Sequence, residues 1–217
     1  MKYSYAIFDM DGTLLDSMRY WRTLPEDFLR RKGIPVPVDL SAQLRTRTLE
    51  EGVVYFKEEL GLEGETEALI REMYEMIETN YRERVQVKPG VPELLEQLKA
   101  RGIQMCVASA TFDHIAQIAL EQHGLLPYFQ FVMDCRKTGG KNTPAVYDAA
   151  AARMGGDRTN TVVFEDAYHA IRTAHEAGYC VVAIREEMMA DAEAEIRRMA
   201  DYYIEDYLGT KITEWWH

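Results

Sequence analysis

The sequence predicts an α/β fold, in which a doubly wound parallel sheet carries a separate all-helical insert. Five short apolar runs alternate with amphipathic stretches, and such runs are typical of strands buried on both faces of a parallel sheet. The predicted strands are residues 3–8, 103–108, 129–133, 161–164 and 180–184. The stretches between them end at glycines, which commonly follow the last turn of a helix: Gly102, Gly124, Gly155 and Gly178. This alternation predicts a Rossmann-like core.

One long segment interrupts the alternation. From about Ser17 to Arg84 only a helical period is visible, as in the stripe formed by Leu69, Met73, Met76 and Ile77. Gly61 and Gly64 separate that helix from an earlier one around residues 40–60. We expect a core domain of residues 1–16 and 88–217 and a helical domain of residues 17–87, with hinges near Asp16 and residues 87–89.

Composition narrows the classes of function. The chain has 217 residues and a formal net charge of −11, which argues against sequence-independent binding to nucleic acid or to an anionic membrane. Three cysteines, Cys106, Cys135 and Cys180, show no metal-ligand spacing and suggest buried thiols rather than a disulfide framework. The amino-terminal run is unlike a signal peptide, and no stretch is long and apolar enough to span a bilayer. A cytoplasmic protein is expected.

Acids, hydroxyls and a lysine follow the predicted strands. In an open parallel sheet, ligands bind beyond the carboxyl ends of the strands. The residues at those ends are Asp9 and Asp11 after the first strand, Ser109 and Thr111 after the second, Lys141 after the third, and Glu165 and Asp166 after the fourth. We expect these four segments to meet at one edge of the sheet.

This set of side chains suits phosphoryl transfer. A carboxylate such as Asp9 can attack phosphorus and form an acyl phosphate, which divides one difficult displacement into two easier ones. Because carboxylate and phosphate repel each other, we predict Mg²⁺ as the cofactor, held by carboxylates that include Asp9 and Asp166. Lys141 and Ser109 can stabilise the transferring group, and Asp11 can protonate the leaving oxygen and then activate water.

The same residues resemble the motifs of the haloacid dehalogenase-like hydrolase superfamily, in its phosphatase branch. The first motif, DxDGT, matches residues 9–13, and Ser109, Lys141 and the pair Glu165 and Asp166 match the other three in order. The resemblance implies that Asp9 is the nucleophile and Asp11 the general acid/base, whose main-chain carbonyl also contacts the metal. The helical insert is similar to the family's α-helical cap, as in phosphoglycolate phosphatase and β-phosphoglucomutase-like members.

Substrate contacts are expected from the backbone and side chains around the motifs. We predict that Gly12, Thr13, Ser109, Ala110 and Lys141 bind substrate. In the insert, Arg45 and Arg47 could meet a second anionic group, and Arg47 is the one candidate retained. Related sequences often have Gly-Lys-Pro-x-Pro at the third motif, whereas residues 140–144 here read GKNTP.

Several alternatives remain open from sequence. One alternative is a phosphosugar mutase of the same family, but such members carry a histidine where this chain has Trp21. Another is a dehalogenase, but the first motif of a dehalogenase lacks the second acid, which is Asp11 in this chain. A Schiff-base phosphonate hydrolase has only Lys32 as a candidate in the early insert, and a non-catalytic phosphate-binding module would keep the fold but lose turnover. Direct metal ligation by Glu165 is also open. The expected partner is a small phosphorylated metabolite, namely a sugar phosphate, a phosphoglycolate-like acid or a nucleoside monophosphate. The expected state is a monomer or weak homodimer, and the tail residues Trp215 and Trp216 have no assigned role.

Overall fold

The computed structural model describes residues 2–44 and 47–210, and its centre is a parallel sheet of six strands. The strands are β1 Tyr5–Phe8, β2 Gln104–Ser109, β3 Val132–Asp134, β4 Thr161–Glu165, β5 Cys180–Ile184 and β6 Tyr202–Ile204. Their order across the sheet is β3-β2-β1-β4-β5-β6, and every neighbouring pair is parallel. The predicted fold class is therefore confirmed.

Helices cover the sheet on both faces. The helices of the described residues are α1 Met18–Arg31, α2 Leu40–Leu44, α3 Leu49–Leu60, α4 Thr66–Glu83, α5 Val91–Ala100, α6 Asp113–Gln122, α7 Ala145–Met154, α8 Tyr168–Glu176 and α9 Glu193–Met199, of which only α5 to α9 belong to the same compact unit as the sheet. Ile7 and Val163 on one face of the sheet belong to a buried cluster with residues of α7 and α8. Phe8 and Phe164, which point to the other face, are also fully buried and stack with their ring centres 4.2 Å apart. Burial on both faces explains the continuous apolar runs in the sequence.

The chain divides into two compact units. One comprises the residues up to Asp16 and from Gln86 onward, and contains the sheet. The other, Ser17–Val85, contains α1 to α4 and no strand among its described residues. Its interior is built from the stripe of α4, in which Leu69, Met73 and Ile77 are buried.

Three details differ from the expectations. The strand predicted at residues 129–133 is wrong over its first three residues, because a short 3-10 turn, Leu126–Tyr128, precedes an edge strand that begins only at Val132. The single helix expected around residues 40–60 is instead two, since Thr48 caps a new helix by accepting a hydrogen bond from the N–H of Glu51. Strand β6 was not predicted.

Cys106, Cys135 and Cys180 are free and buried. In the described ranges, no helix combines the length and the apolar character needed to cross a bilayer.

Candidate active site

The site lies at the carboxyl end of the central strand. Strand β1 pairs with β2 on one side and with β4 on the other, so the strand order reverses around it, and ligands bind at such a point in open sheets. Phe8 is in register with Phe164, and the N–H of Asp9 donates to the carbonyl of Phe164 at 2.9 Å. This register places Asp9, the first residue after β1, beside Glu165, the last residue of β4.

A tight turn follows Asp9 and brings further groups back to the sheet edge. Gly12 has a φ of +82°, a conformation that residues with a Cβ rarely adopt, and its N–H donates to the carbonyl of Leu15 at 2.9 Å. The turn buries Thr13, whose hydroxyl donates to Asp166 Oδ1 at 3.2 Å. The first motif is thereby tied to the loop after β4.

Lys141 reaches the site from the loop after β3. Gly139 and Gly140 both have positive φ, +83° and +81°, and these two left-handed residues turn the chain back before the lysine. The ammonium group is buried and contacts both Asp9 Oδ1 and Glu165 Oε1. Lys141 therefore bridges the ends of β1 and β4.

Glu165 is held from four directions. Its Oε1 accepts from Lys141 and from the Tyr147 hydroxyl at 3.2 Å, and its Oε2 accepts from the N–H groups of Asp166 and Ala167 at 3.2 and 3.4 Å. A carboxylate has about four acceptor positions. The hydrogen bonding of Glu165 thus suits a side chain that positions Lys141 and the loop after β4.

Burial and mutual repulsion raise the pKa values of two site acids, Asp9 and Asp166. Desolvation is the largest cause for Asp9, whose pKa rises to about 7 despite the opposing charge of Lys141. Burial also raises the pKa of Asp166, and the charges of Asp9 and Glu165 add to that rise. For Lys141, burial lowers the pKa, but the carboxylates of Asp9 and Glu165 outweigh it and the net shift is upward. One ammonium lies among three buried carboxyl groups and contacts two of them, those of Asp9 and Glu165.

The donor set of this cluster fits a hard divalent cation. Asp9, Glu165 and Asp166 each offer a carboxylate oxygen, and these atoms lie within 4.8 Å of one another. Mg²⁺ prefers oxygen ligands and is commonly bound by one or two carboxylates plus substrate phosphate. Because a second positive charge would offset the excess of buried carboxylates, the chemistry of these residues fits Mg²⁺.

A second group of side chains forms around Asp11. The Thr111 hydroxyl donates to Asp11 Oδ2 at 2.7 Å, and the Ser109 hydroxyl lies 3.4 Å from the same oxygen. The N–H of Thr111 in turn donates to Ser109 Oγ at 3.0 Å. The end of β2 and the loop after it therefore place two hydroxyl groups beside the predicted general acid/base, Asp11.

Most of the predicted site residues come together in the unit that contains the sheet. Those with side-chain contacts described above are Asp9, Asp11, Thr13, Ser109, Lys141, Glu165 and Asp166. Gly12 forms the turn, and Ala110 is exposed directly after Ser109.

The predicted arginine belongs to the other compact unit. Arg47 belongs to the helical unit, where its guanidinium donates to the carbonyl of Gln43 and lies 4.8 Å from the centre of the Tyr55 ring. Arg45 and the tail residues Trp215 and Trp216 lie outside the described residues.

Three contributors were missed from sequence. Thr111 was noted after β2 but given no role, although a second hydroxyl two residues past Ser109 was a usable signal. Tyr147 contacts Glu165 from the first turn of α7, and the Tyr207 hydroxyl donates to the carbonyl of Thr13 at 3.0 Å. Tyr147 lies three residues past the third motif but within the apolar stripe of its helix, and Tyr207 lies far from every motif, so neither was identified from sequence.

Comparison with known proteins places the chain in a family. The model of the haloacid dehalogenase-like hydrolase family matches residues 3–178. The chain therefore belongs to the haloacid dehalogenase-like hydrolases. The predicted phosphatase branch of the family is confirmed, and so is the predicted enzyme class, a hydrolase of phosphoric monoesters.

Individual relatives cover most of the chain. It is 28% identical to the mitochondrial (DL)-glycerol-3-phosphatase 1 of Arabidopsis thaliana, over 98% of this chain and 73% of that protein. It is also 28% identical to a phosphorylated carbohydrates phosphatase of Thermotoga maritima, over 80% of this chain and 81% of that protein. The solved structure of a family IA, variant 3 HAD hydrolase from Entamoeba histolytica has a TM-score of 0.82 at 21% identity, and the match covers 99% of this chain and 97% of that one. This last likeness supports the fold.

Proposed function

We propose that this chain is a Mg²⁺-dependent phosphatase that hydrolyses small phosphate monoesters through an aspartyl phosphate on Asp9. The observation that carries the proposal is the buried Asp9 carboxyl at the end of β1, in contact with Lys141 and within 4.8 Å of further carboxylates. Burying several acids around one lysine costs free energy, and a bound divalent cation would offset the excess negative charge.

The first step transfers the phosphoryl group to the chain. A carboxylate oxygen of Asp9 forms a bond to phosphorus while the ester P–O bond breaks, and the electron pair leaves on the ester oxygen. That oxygen takes the proton of the Asp11 carboxyl group. Lys141 and the Ser109 hydroxyl stabilise the charge on the oxygens of the transferring group.

The second step returns the chain to its starting state. The Asp11 carboxylate takes a proton from a water molecule as the water oxygen attacks phosphorus. The P–O bond to Asp9 then breaks, inorganic phosphate leaves and the Asp9 carboxylate is restored. The two steps use the same side chain first as acid and then as base.

We assign the metal contacts to Asp9, Asp166 and the main-chain carbonyl of Asp11, with Glu165 acting chiefly through Lys141. When bound, Mg²⁺ neutralises charge between the nucleophile and the phosphate oxygens. The four hydrogen bonds that Glu165 accepts favour its positioning role, while its place in the acidic cluster keeps it within reach of the ion.

The substrates we propose are phosphate esters of sugars and polyols. The relatives named above act on glycerol 3-phosphate and on phosphorylated carbohydrates. The helical unit Ser17–Val85 is proposed to act as a cap that excludes bulk water during the reaction, with residues 86–89 in one of its hinges. A cap of this kind favours small diffusible metabolites, and the net charge of −11 disfavours nucleic acid.

A panel of phosphate esters tests the proposal. Phosphate release is measured with Mg²⁺ for glycerol 3-phosphate, several sugar phosphates and p-nitrophenyl phosphate, for the wild type beside Asp9→Asn. We expect turnover of a few esters and a loss on the order of 10⁴-fold or more in the variant, as is typical when a nucleophile is removed. Asp157→Asn is the matched control, because Asp157 is an exposed acid that bonds only its own turn in the contacts described. Turnover that survives in Asp9→Asn would exclude Asp9 as the nucleophile.

A further inference from the structure

Thr111 makes two hydrogen bonds at the end of β2, and each leads to a residue of the proposed reaction. Its hydroxyl donates to Asp11 Oδ2 at 2.7 Å, and its N–H donates to Ser109 Oγ at 3.0 Å. The residue is 5% exposed, so its hydroxyl is shielded from bulk water. A threonine with a purely structural role after β2 would not need hydrogen bonds to both Asp11 and Ser109.

The Thr111 hydroxyl is the stronger of the two hydroxyl contacts with Asp11. The Ser109 hydroxyl is 3.4 Å from Asp11 Oδ2, which is long for a bond between a hydroxyl and a carboxylate, whereas 2.7 Å is typical. Ser109 is also the side chain expected to donate to a phosphate oxygen. Once Ser109 donates to substrate, the Thr111 hydroxyl still holds the carboxyl group of Asp11.

We propose that Thr111 is a positioning residue, which aims the Asp11 carboxyl group at the leaving oxygen and orients the Ser109 hydroxyl toward the phosphoryl group. This inference rests on the proposed function. A general acid must lie within hydrogen-bond reach of the oxygen that it protonates, and an aspartate side chain that rotates freely spends much of its time elsewhere. The bond from Thr111 restricts that rotation.

The role has a consequence that depends on the leaving group. An alkoxide released from a sugar or polyol phosphate is strongly basic and needs the proton of Asp11 as the P–O bond breaks. The p-nitrophenolate ion is weakly basic and leaves without that proton. Loss of the Thr111 hydroxyl should therefore slow hydrolysis of alkyl esters much more than hydrolysis of p-nitrophenyl phosphate. Damage to the fold or to phosphate binding would slow both.

The experiment compares kcat/KM for the best alkyl ester of the panel and for p-nitrophenyl phosphate, because kcat/KM includes the steps up to release of the leaving group. The variants are Thr111→Val, which keeps the branched shape without the hydroxyl, and Thr111→Ser, which keeps the hydroxyl. Thr173→Val is the matched control, since the buried hydroxyl of Thr173 donates to the carbonyl of His169 within α8 at 2.9 Å. Thermal unfolding of each variant checks that it is folded.

We expect Thr111→Val to lower kcat/KM for the alkyl ester about tenfold, the upper end of the effect of losing one hydrogen bond, and to change the value for p-nitrophenyl phosphate less than about twofold. Thr111→Ser should restore the alkyl value to within about twofold, and Thr173→Val should leave the ratio of the two substrates unchanged. Equal losses on both substrates, or no loss on either, would overturn the positioning role. If Thr111→Val does not fold, Thr111→Ala is measured with the same two substrates. Failure of the proposed function would appear separately, as turnover retained by Asp9→Asn.

Discussion

The two units of the chain differ in whether their charged side chains are buried. In the unit that contains the sheet, Asp9, Lys141, Glu165 and Asp166 are all buried and in mutual contact or close to it. In the helical unit, no charged side chain among residues 17–44 and 47–85 is buried. Most of its ion pairs are exposed and local, as in Arg30 with Glu26 and Arg82 with Glu78, while Lys32 and Glu72 form a half-buried pair between α4 and the end of α1.

This difference indicates that the buried charges beside the sheet serve a site and that the exposed charges of the helical unit do not. Surface ion pairs contribute about 0–1 kcal/mol each, so those of the helical unit serve solubility and local helix stability. Burying three carboxyl groups beside one lysine costs several times more free energy than a surface ion pair contributes. Such clusters occur mainly at functional sites. If the comparison is sound, changes at the sheet edge should alter turnover, and changes in the helical unit should alter substrate affinity at most.

Removing magnesium should have the largest effect on the buried cluster. We expect an excess of chelator to abolish phosphate release and added Mg²⁺ to restore it, because the nucleophile and the phosphate otherwise repel each other. Activity that persists in excess chelator would contradict the metal assignment.

The same cluster should make the metal's stabilising effect depend on pH. Without a cation, the pKa of Asp9 is raised by burial to about 7, above its value in the unfolded chain. Its contribution to stability is therefore present below the unfolded pKa, about 4, and is lost as the pH rises through about 7. Mg²⁺ should raise the melting temperature by several degrees at about pH 8 and by less at about pH 5.5, where protons compete for the carboxylates. An equal rise at both pH values in thermal unfolding would count against this cluster as the binding site.

Tyr147→Phe should have a moderate effect. The change removes the hydroxyl that donates to Glu165 and leaves the buried ring in place. One hydrogen bond is worth about 1 kcal/mol, which corresponds to about a fivefold loss in kcat. Because Lys141 contacts the same oxygen of Glu165, we expect the loss for alkyl esters and for p-nitrophenyl phosphate alike, unlike the loss at Thr111.

A control for that variant lies directly before β5. Tyr179→Phe removes a hydroxyl that donates to Asp148, away from the acidic cluster, and should leave kcat unchanged. If Tyr147→Phe matches this control, the hydroxyl of Tyr147 has no part in positioning Glu165.

Arg47→Ala should have the smallest effect, and it tests the helical unit directly. We expect KM for the best sugar or polyol phosphate to rise about threefold, as for the loss of one exposed ionic contact, with little change for p-nitrophenyl phosphate. Arg82→Ala is the matched control, because Arg82 is an exposed arginine of the same unit that pairs with Glu78. Equal behaviour of the two variants would exclude Arg47 from substrate binding.

Much of the fold could be predicted because strands buried on both faces leave an unmistakable pattern. The runs at residues 161–164 and 180–184 match β4 and β5 to within one residue. Strand β6, Tyr202–Ile204, was missed since three residues at the edge of a sheet carry no periodic signal. The shift in β3 has the same origin, because another short edge strand is bounded by turns rather than by hydrophobic pattern.

The predicted site residues share a feature that the two missed tyrosines lack. Asp9, Ser109 and Glu165 end or follow buried strands, so topology alone brings them to one edge. Tyr147 reaches Glu165 from a helix, and its contact depends on how α7 packs on the sheet. Such contacts follow from tertiary packing, which a single sequence does not specify residue by residue.

Covalent trapping tests the central claim most directly. The wild type is mixed with Mg²⁺ and an ester that carries a radiolabelled phosphoryl group, quenched in acid during turnover, and the labelled peptide is mapped by mass spectrometry. We predict acid-stable, hydroxylamine-labile label on Asp9, reduction of the trapped group by borohydride to homoserine at that position, and no label in Asp9→Asn. Label on any other residue, or labelling and turnover that persist in Asp9→Asn, would contradict the account.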